Sequence, residues 1–286
     1  MKDDTFKSIS ALIVAGGTGT RFGLPTNKTL VPLRNRPVIA WTLDPFLEHP
    51  LIDEIILVIH PRDRKTIDSL ELEGWSFPES VQLVDGGPDR ASSVHNGLLA
   101  TTCAADDLIL IHDGARPFVS IQDLDRIIES SRSACGSLLT LPFTETFKEI
   151  DENGHILQTP DRSHHRIAQT PQGFRRNDLI RAHEEAKSRN LSPTDSASAI
   201  EIFRTCPRCQ SPRKRLTLEG ETYLSCSQHP RCSEKIVTDP IEHLDLHRLI
   251  EEPIQTAQGR PENIKITTSE DIQRIEFLLA RNDPRE

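Results

Sequence analysis

Ala15-Gly16-Gly17-Thr18-Gly19-Thr20-Arg21 carries the densest chemical signal in the chain, and Lys28 follows seven residues later. Glycine lets the backbone turn tightly and present bare N–H groups to an anion, while Arg21 and Lys28 add full positive charges. That combination suits the phosphates of a nucleotide, although a glycine turn packing a helix on a strand has the same look. A second set is His112-Asp113-Gly114-Ala115-Arg116-Pro117, where Asp113 ends an apolar run. A carboxylate at that place, beside a triphosphate, is a natural magnesium ligand, and the plain alternative is a turn or cap aspartate. The third set is Cys206, Cys209, Cys226 and Cys232, with two, sixteen and five residues between them. Two knuckles around a short β-like stretch, 216–224, have the spacing of a structural zinc ribbon, in which four thiolates close a tetrahedral site.

The elements that must position these groups follow an α/β rhythm. Ser10-Ala11-Leu12-Ile13-Val14-Ala15 reads as a buried strand, so the glycines fall where that strand ends. Further apolar runs at 54–59, 81–84, 108–111 and 137–141 also lack polar alternation, which suits strands covered on both faces of a mostly parallel sheet. Between the last two, Ser120 to Asp123 opens a helix with Leu124, Ile127 and Ile128 as its apolar stripe. The expected fold is a Rossmann-like, doubly wound α/β sheet with ligands at the carboxyl ends of its strands. Two segments break the rhythm. Asn153-Gly154 between short strand-like runs predicts a hairpin, a β-arm over about 144–163 of the sort that reaches a partner subunit. The cysteine segment, 204–252, is the second, so the nucleotide domain is expected over 1–203 and 253–286. Thr268 to Asp271 caps a final helix carrying Ile272, Ile275, Leu278 and Leu279.

Gly17-x-Gly19-x-x-x-Gly23 is not a dinucleotide fingerprint in context. An NAD site wants an acidic residue about 20 positions on, whereas the next strand here ends at His60. The Gly-Lys-Ser/Thr of a Walker loop is also missing. With 43 Asp and Glu against 34 Lys and Arg, the chain is acidic, which argues against duplex nucleic acid as its main partner. No apolar run approaches the ~18 residues of a membrane span. The polar start Met1-Lys2-Asp3-Asp4-Thr5 does not look secretory, so a cytoplasmic location is expected.

Six motifs, in order, resemble the 2-C-methyl-D-erythritol 4-phosphate cytidylyltransferases of the non-mevalonate isoprenoid pathway. They are Ala15-Gly16-Gly17-x-Gly19-x-Arg21, Gly86-Gly87-x-x-Arg90-x-x-Ser93-Val94, His112-Asp113-x-Ala115-Arg116-Pro117, Gln169-Thr170-Pro171-Gln172, Thr194-Asp195-x-Ala197-Ser198 and Asn263-Ile264-Lys265-Ile266-Thr267. The resemblance covers nearly all of 8–203 and 253–280. It implies transfer of CMP from CTP to a polyol phosphate, with Mg²⁺ and release of pyrophosphate, by a homodimer joined through the β-arm. It places Arg21, Lys28 and Lys265 on phosphates as the catalytic cations. Ala15, Gly16, Gly17, Gly19, Gly87 and Ser93 fall at the nucleotide, and Asp113 and Glu262 at the magnesium. Arg116, Thr170 and Thr194 fall on the second substrate, joined by Thr146 and Arg162 from the arm of the partner subunit.

The chain departs from the family at Asn27-Lys28-Thr29 around the lysine and at Pro88 after the glycine pair, where the family often has an acid near the cytosine. His112-Asp113-Gly114 also occurs in related ribitol 5-phosphate cytidylyltransferases, which leaves that polyol open as the substrate. The segment between Glu201 and Gly259 is 57 residues long, where the family needs about ten. Its knuckles resemble the zinc ribbons of type IA topoisomerases. Between Arg204 and Lys235 seven basic residues face three acidic ones, which leaves nucleic-acid contact open beside a purely stabilising role. In the alternative of a different class, the chain is an inactive relative that binds nucleic acid or protein through the ribbon.

Overall fold

Strands without polar alternation are stable only where both faces are covered. The computed structural model, which describes residues 6–17, 27–68, 76–218, 221–228, 231–232 and 246–281, covers them with two layers of helices. In chain order the first part comprises β1 (Ile9–Ala15), a small hairpin of β2 (Pro32–Leu33) and β3 (Arg36–Pro37), α1 (Val38–Glu48), β4 (Glu54–Ile59), α2 (Arg64–Asp68) and β5 (Val81–Asp85). Next come α3 (Arg90–Ala100), β6 (Leu108–Asp113), α4 (Ile121–Arg132) and β7 (Gly136–Pro142). The arm carries β8 (Glu149–Ile150) and β9 (Ile156–Gln158), followed by β10 (Arg166–Arg175), α5 (Arg176–Ser188) and α6 (Ser196–Arg204). Last are β11 (Arg213–Leu218), β12 (Glu221–Cys226), α7 (Leu246–Glu251), β13 (Ile254–Gln258) and α8 (Ser269–Arg281).

Seven strands form one sheet in the order β13-β7-β10-β6-β1-β4-β5, and β10 alone runs against the others. Ile39, Leu43 and Phe46 of α1 with Leu124, Ile127 and Ile128 of α4 fill one face. Val94 and Leu98 of α3, Leu179 and Ala182 of α5, and Ile200 and Phe203 of α6 fill the other. β6 is buried along its whole length, which explains its unbroken apolar run. β5 is different: it is an edge strand, with Gln82 and Asp85 exposed, so the expectation of two covered faces fails there.

The sequence reading placed no strand at β10. Gln169, Pro171, Gln172 and Gly173 are poor strand formers, and the register shifts between Ala168 and Gln172, where the Thr170–Pro171 bond is cis. The arm hairpin is present, with Gly154 at φ +84°, though its strands are shorter than the apolar runs. In place of one β-like stretch, 216–224, the cysteine segment carries the β11–β12 hairpin, with Arg213 opposite Cys226.

Register sets the geometry of the site. Val14 lies opposite Asp113 and Ala15 opposite Ile59, so β1, β4 and β6 end together. The chain moves from β1 outward to β4 and β5, then returns to β6 on the other side of β1. That switch point is where open α/β sheets bind ligands. The arm leaves from this same edge, since β10 begins at Arg166 beside Pro142. The cysteine segment hangs from the opposite edge: Arg248 of α7 pairs with Asp106, just before β6 begins, and with Asp178, just after β10 ends.

Candidate active site

Asp113 is the hub. Its carboxylate lies at the end of β6, nearly buried, and receives three cations. Arg90 grips Oδ1 through Nε and Nη2 at 3.3 and 3.2 Å, Lys265 Nζ lies 2.9 Å from Oδ2, and Arg116 Nε lies 3.4 Å from Oδ2. Burial by itself would raise the acid's pKa, but Arg90, Lys265 and Arg116 outweigh it and hold Asp113 well below the usual carboxylate range.

A hydrogen-bonded chain fixes this loop from below. His112 Nε2 faces the Arg116 carbonyl at 3.1 Å, an acceptor, so that nitrogen carries the proton. Burial holds His112 neutral, with a pKa of about 4. Nδ1 therefore accepts from the Thr170 hydroxyl at 3.0 Å, and Thr170 Oγ1 in turn accepts from the Asp113 N–H at 3.1 Å. The Asn263 carbonyl accepts from Arg116 Nη1 at 2.8 Å and from Gln169 Nε2 at 3.1 Å, while Asn263 Nδ2 donates to the Thr170 carbonyl. The Ile266 N–H bonds to the Ala115 carbonyl, which docks the segment bearing Lys265 on the loop after β6.

Lys28 joins from the other side, donating to the Ile266 carbonyl at 2.5 Å. Asn27 positions it: Nδ2 donates to the Ala15 carbonyl at 2.7 Å and to Asp63 at 2.9 Å, while Oδ1 accepts from the Thr29 N–H. Asn27, a departure from the family pattern, thus ties the lysine to the end of β1. Gly16 lies against the second glycine turn, and Ala15 just before it faces Gly114. A Cβ on Gly16 would come within 3.1 Å of Ser93 Oγ, and Ser93 Oγ accepts from the Gly87 N–H at 3.1 Å. Gly17 is exposed, with open space where a side chain would stand.

The site residues read from the sequence therefore divide. Ala15, Gly16, Gly87 and Ser93 come together, as do Asp113, Arg116, Thr170 and Lys265, with Lys28 beside them. Thr194 is exposed next to Asp195, which accepts from Gln172 Nε2 at 2.8 Å. Glu262 is half-buried, and its carboxylate bonds to no other described residue. Thr146 and Arg162 are exposed on the arm, where Arg162 Nη1 donates to the Thr144 carbonyl. Gly19 and Arg21 lie outside the described residues. The sequence reading missed the grip of Arg90 on Asp113. A signal existed: the Asp89 and Ser92 capping box marks a helix start, and a cation at the first helical position opposes the helix dipole.

The four cysteines converge. Their Sγ atoms all lie within 4.8 Å of one another, with Cys206 3.8 Å from Cys232 and Cys209 3.4 Å from Cys226. A zinc–thiolate bond of ~2.3 Å gives a tetrahedral edge of ~3.8 Å, so the cluster fits that ion. Hydrogen bonds from the Ser211 hydroxyl and N–H bring Cys209 down to about 6, and burial pushes Cys226 up to about 12. Several of the local basic residues serve the fold. Arg213 donates to the Phe203 carbonyl at 3.1 Å and pairs with Glu185 at 2.9 Å; Arg215 pairs with Glu251, and Arg204 donates to the Leu249 carbonyl. Cys103 and Cys135 stand apart, and burial raises the pKa of both thiols. Among the described residues, no helix is long and apolar enough to cross a membrane.

Comparison with known proteins agrees with this geometry. The model of the 2-C-methyl-D-erythritol 4-phosphate cytidylyltransferase family matches residues 9–210. A protein of that name from Chromobacterium violaceum is 41% identical over 223 residues, covering 77% of this chain and 92% of its own length. Another, from Desulforamulus reducens, is 28% identical over 276 residues, with 96% and 97% coverage. The crystal structure of 4-diphosphocytidyl-2C-methyl-D-erythritol synthase from Anaerococcus prevotii superposes with a TM-score of 0.70 at 26% identity, covering 96% of this chain and 97% of that one. With the fold, the switch-point site and a family match across most of its length, the chain belongs to the 2-C-methyl-D-erythritol 4-phosphate cytidylyltransferases, a family of CTP-dependent nucleotidyltransferases.

Proposed function

We propose that this chain transfers CMP from CTP to 2-C-methyl-D-erythritol 4-phosphate, giving the CDP-linked polyol and pyrophosphate. The observation that carries the reading is the cationic cluster on Asp113, set at the switch point beside the glycine turns. An oxygen of the substrate's phosphate attacks the α-phosphorus of CTP. The bond from that phosphorus to the bridging oxygen breaks, and the electron pair leaves with pyrophosphate. The attacking group is already an anion, so no general base is needed and catalysis reduces to placing and neutralising charge.

Lys28, Lys265 and Arg21 serve the phosphates in this reading. Arg116, held by the Asn263 carbonyl, takes the phosphate of the polyol with Thr170 and Thr194. Ala15, Gly16, Gly87 and Ser93 line the cytosine side, and Gly17 and Gly19 turn the loop around the triphosphate. The donor set suits magnesium, which prefers one or two carboxylates with phosphate oxygens. Asp113, and Glu262 with its unengaged carboxylate, would hold it. When bound, the ion neutralises charge on the triphosphate. The thiolate cluster is a structural zinc site, and the ribbon a stabilising insert rather than a nucleic-acid grip, because Arg204, Arg213 and Arg215 are engaged within the fold. Thr146 and Arg162 complete the substrate site of a second copy in a homodimer. What supports this is the arm's exposed Ile150, Ile156 and Leu157, apolar surface that wants a cover.

The test is pyrophosphate release with CTP against 2-C-methyl-D-erythritol 4-phosphate and ribitol 5-phosphate, repeated with ATP, GTP and UTP. Release with CTP and the branched polyol is expected. Release with ribitol 5-phosphate alone would reassign the substrate, and silence with every pair would overturn the activity.

A further inference from the structure

A cation at the first position of an α-helix faces the positive end of the helix dipole, so its placement there needs another reason. Arg90 holds that position in α3, directly after Asp89, which caps the helix by accepting from the Ser92 N–H at 2.7 Å. What holds it is Asp113 Oδ1, contacted by both Nε and Nη2. Three cations on one carboxylate leave two positive charges in excess, three minus one, with Lys28 docked nearby on the Ile266 carbonyl. Such an excess on one nearly buried carboxylate favours an anionic ligand. Arg90 is also the more accessible of the two guanidiniums, its side chain 24% exposed against 11% for Arg116. Its helix springs from the Gly86-Gly87 turn that packs on Gly16, so its head bridges the nucleotide side of the cleft and the carboxylate.

We propose that Arg90 is a further phosphate-binding residue of the transfer site, parked on Asp113 in the free enzyme and transferred to the triphosphate when CTP enters. The proposal rests on the cytidylyltransferase reading above. While parked, Arg90 covers Oδ1 with positive charge and keeps divalent cations off Asp113. When it swings to the triphosphate it uncovers that oxygen. Nucleotide and metal ion are thereby made to enter together.

The test is carried out on the full chain, with Arg90→Gln, Arg90→Lys and Asp113→Asn. Mn²⁺ binding to nucleotide-free protein is followed by electron paramagnetic resonance, CTP binding in Mg²⁺ by calorimetry, and the KM for the polyol phosphate by pyrophosphate release. Loss of a charge-assisted contact predicts that Arg90→Gln binds CTP about tenfold more weakly. The same variant binds Mn²⁺ several-fold more tightly than wild type, a gain that Asp113→Asn abolishes. Its KM for the polyol phosphate stays within about twofold of wild type, since Arg116 serves that group. Arg90→Lys, which keeps the charge but not the two-nitrogen grip, shifts both affinities in the same directions by smaller factors. A purely structural arginine would not strengthen metal binding. Wild-type affinity for both CTP and Mn²⁺ in a natively folded Arg90→Gln overturns the proposal. Should that variant not fold, wild-type affinities in Arg90→Lys overturn it equally. Failure of the wild type to bind CTP overturns the functional reading, while the Mn²⁺ measurement still decides whether Arg90 guards Asp113.

Discussion

Single charges decide most of what happens at the edge of this sheet. Lys28 and Lys265 are anchored on backbone and carboxylate, so each is aimed before any ligand arrives. Lys28→Ala or Lys265→Ala should lower turnover by about 100-fold or more, the scale of losing one preorganised electrostatic contact. Thermal stability should change little, because both heads serve the cleft; near-wild-type kcat in both variants would contradict their role. His183 tests a different balance. Burial, reinforced by His95 and Arg90 and opposed by Asp89, lowers its pKa from 6.5 to about 4. The unfolded chain then takes up this proton from about pH 6.5 downward, whereas the folded ring refuses it until about pH 4. Stability is therefore full above the unfolded value and is lost as pH falls across that window, by up to ~1.4 kcal/mol per pH unit. Urea unfolding followed from about pH 7 to about pH 4 should show the slope, and His183→Gln should reduce it by its share while His112, with the same lowered pKa, keeps its own. An unchanged slope in the variant would remove His183 as its source.

At the scale of elements, α6 links two features at opposite ends. Asp195 caps its start, beside Thr194, and Cys206 lies two residues past its end. The β11–β12 hairpin docks on it through Arg213 and the Phe203 carbonyl, with Leu224 buried in the same cluster as Phe203 and Ile200. On the zinc-site proposal, a chelator or Cys226→Ser should release about one zinc per chain and lower the melting temperature by several degrees, because so small a hairpin would draw folding energy from its ion. A colorimetric zinc assay with parallel melting curves checks both, and an unchanged melting curve after full release would leave the ion no structural role. Much of this layer was legible. β1, β4 and β6 announced themselves by unbroken apolar runs, α4 by Ser120 and its stripe, and the ribbon by its spacing. β10 did not, because its glutamines, proline and glycine are poor strand formers that serve other contacts: Gln169 donates to the Arg260 carbonyl, Gln172 to Asp195, and Gly173 leaves room for Ser131 of α4. The grip of Arg90 on Asp113 was only hinted at by the helix start at Asp89, because its partner lies 23 positions on, at the end of β6.

At the scale of the whole molecule, the chain is acidic at −9, yet Arg90, Arg116, Lys265 and Lys28 gather at one end of the sheet. Bulk charge argues against duplex nucleic acid as a main partner but says nothing against a small polyanion. The homodimer proposal makes a measurable claim here. Leu157 is 61% exposed and Ile156 63%, both on the arm. Replacing both by Asp should turn a dimer into monomers in sedimentation velocity, since charges at an interface core are strongly disfavoured. Turnover should fall with it if Thr146 and Arg162 act across the interface. A wild-type monomer, or a variant that dimerises unchanged, would refute this.

The cysteine insert and the candidate site occupy opposite rims of the sheet. A six-residue strand such as β6 spans ~20 Å, and the cysteine insert hangs from one end of that span while Asp113 and its cations sit at the other. The element that spans the two rims is α6, with the Asp195 cap at one end and Cys206 just past the other.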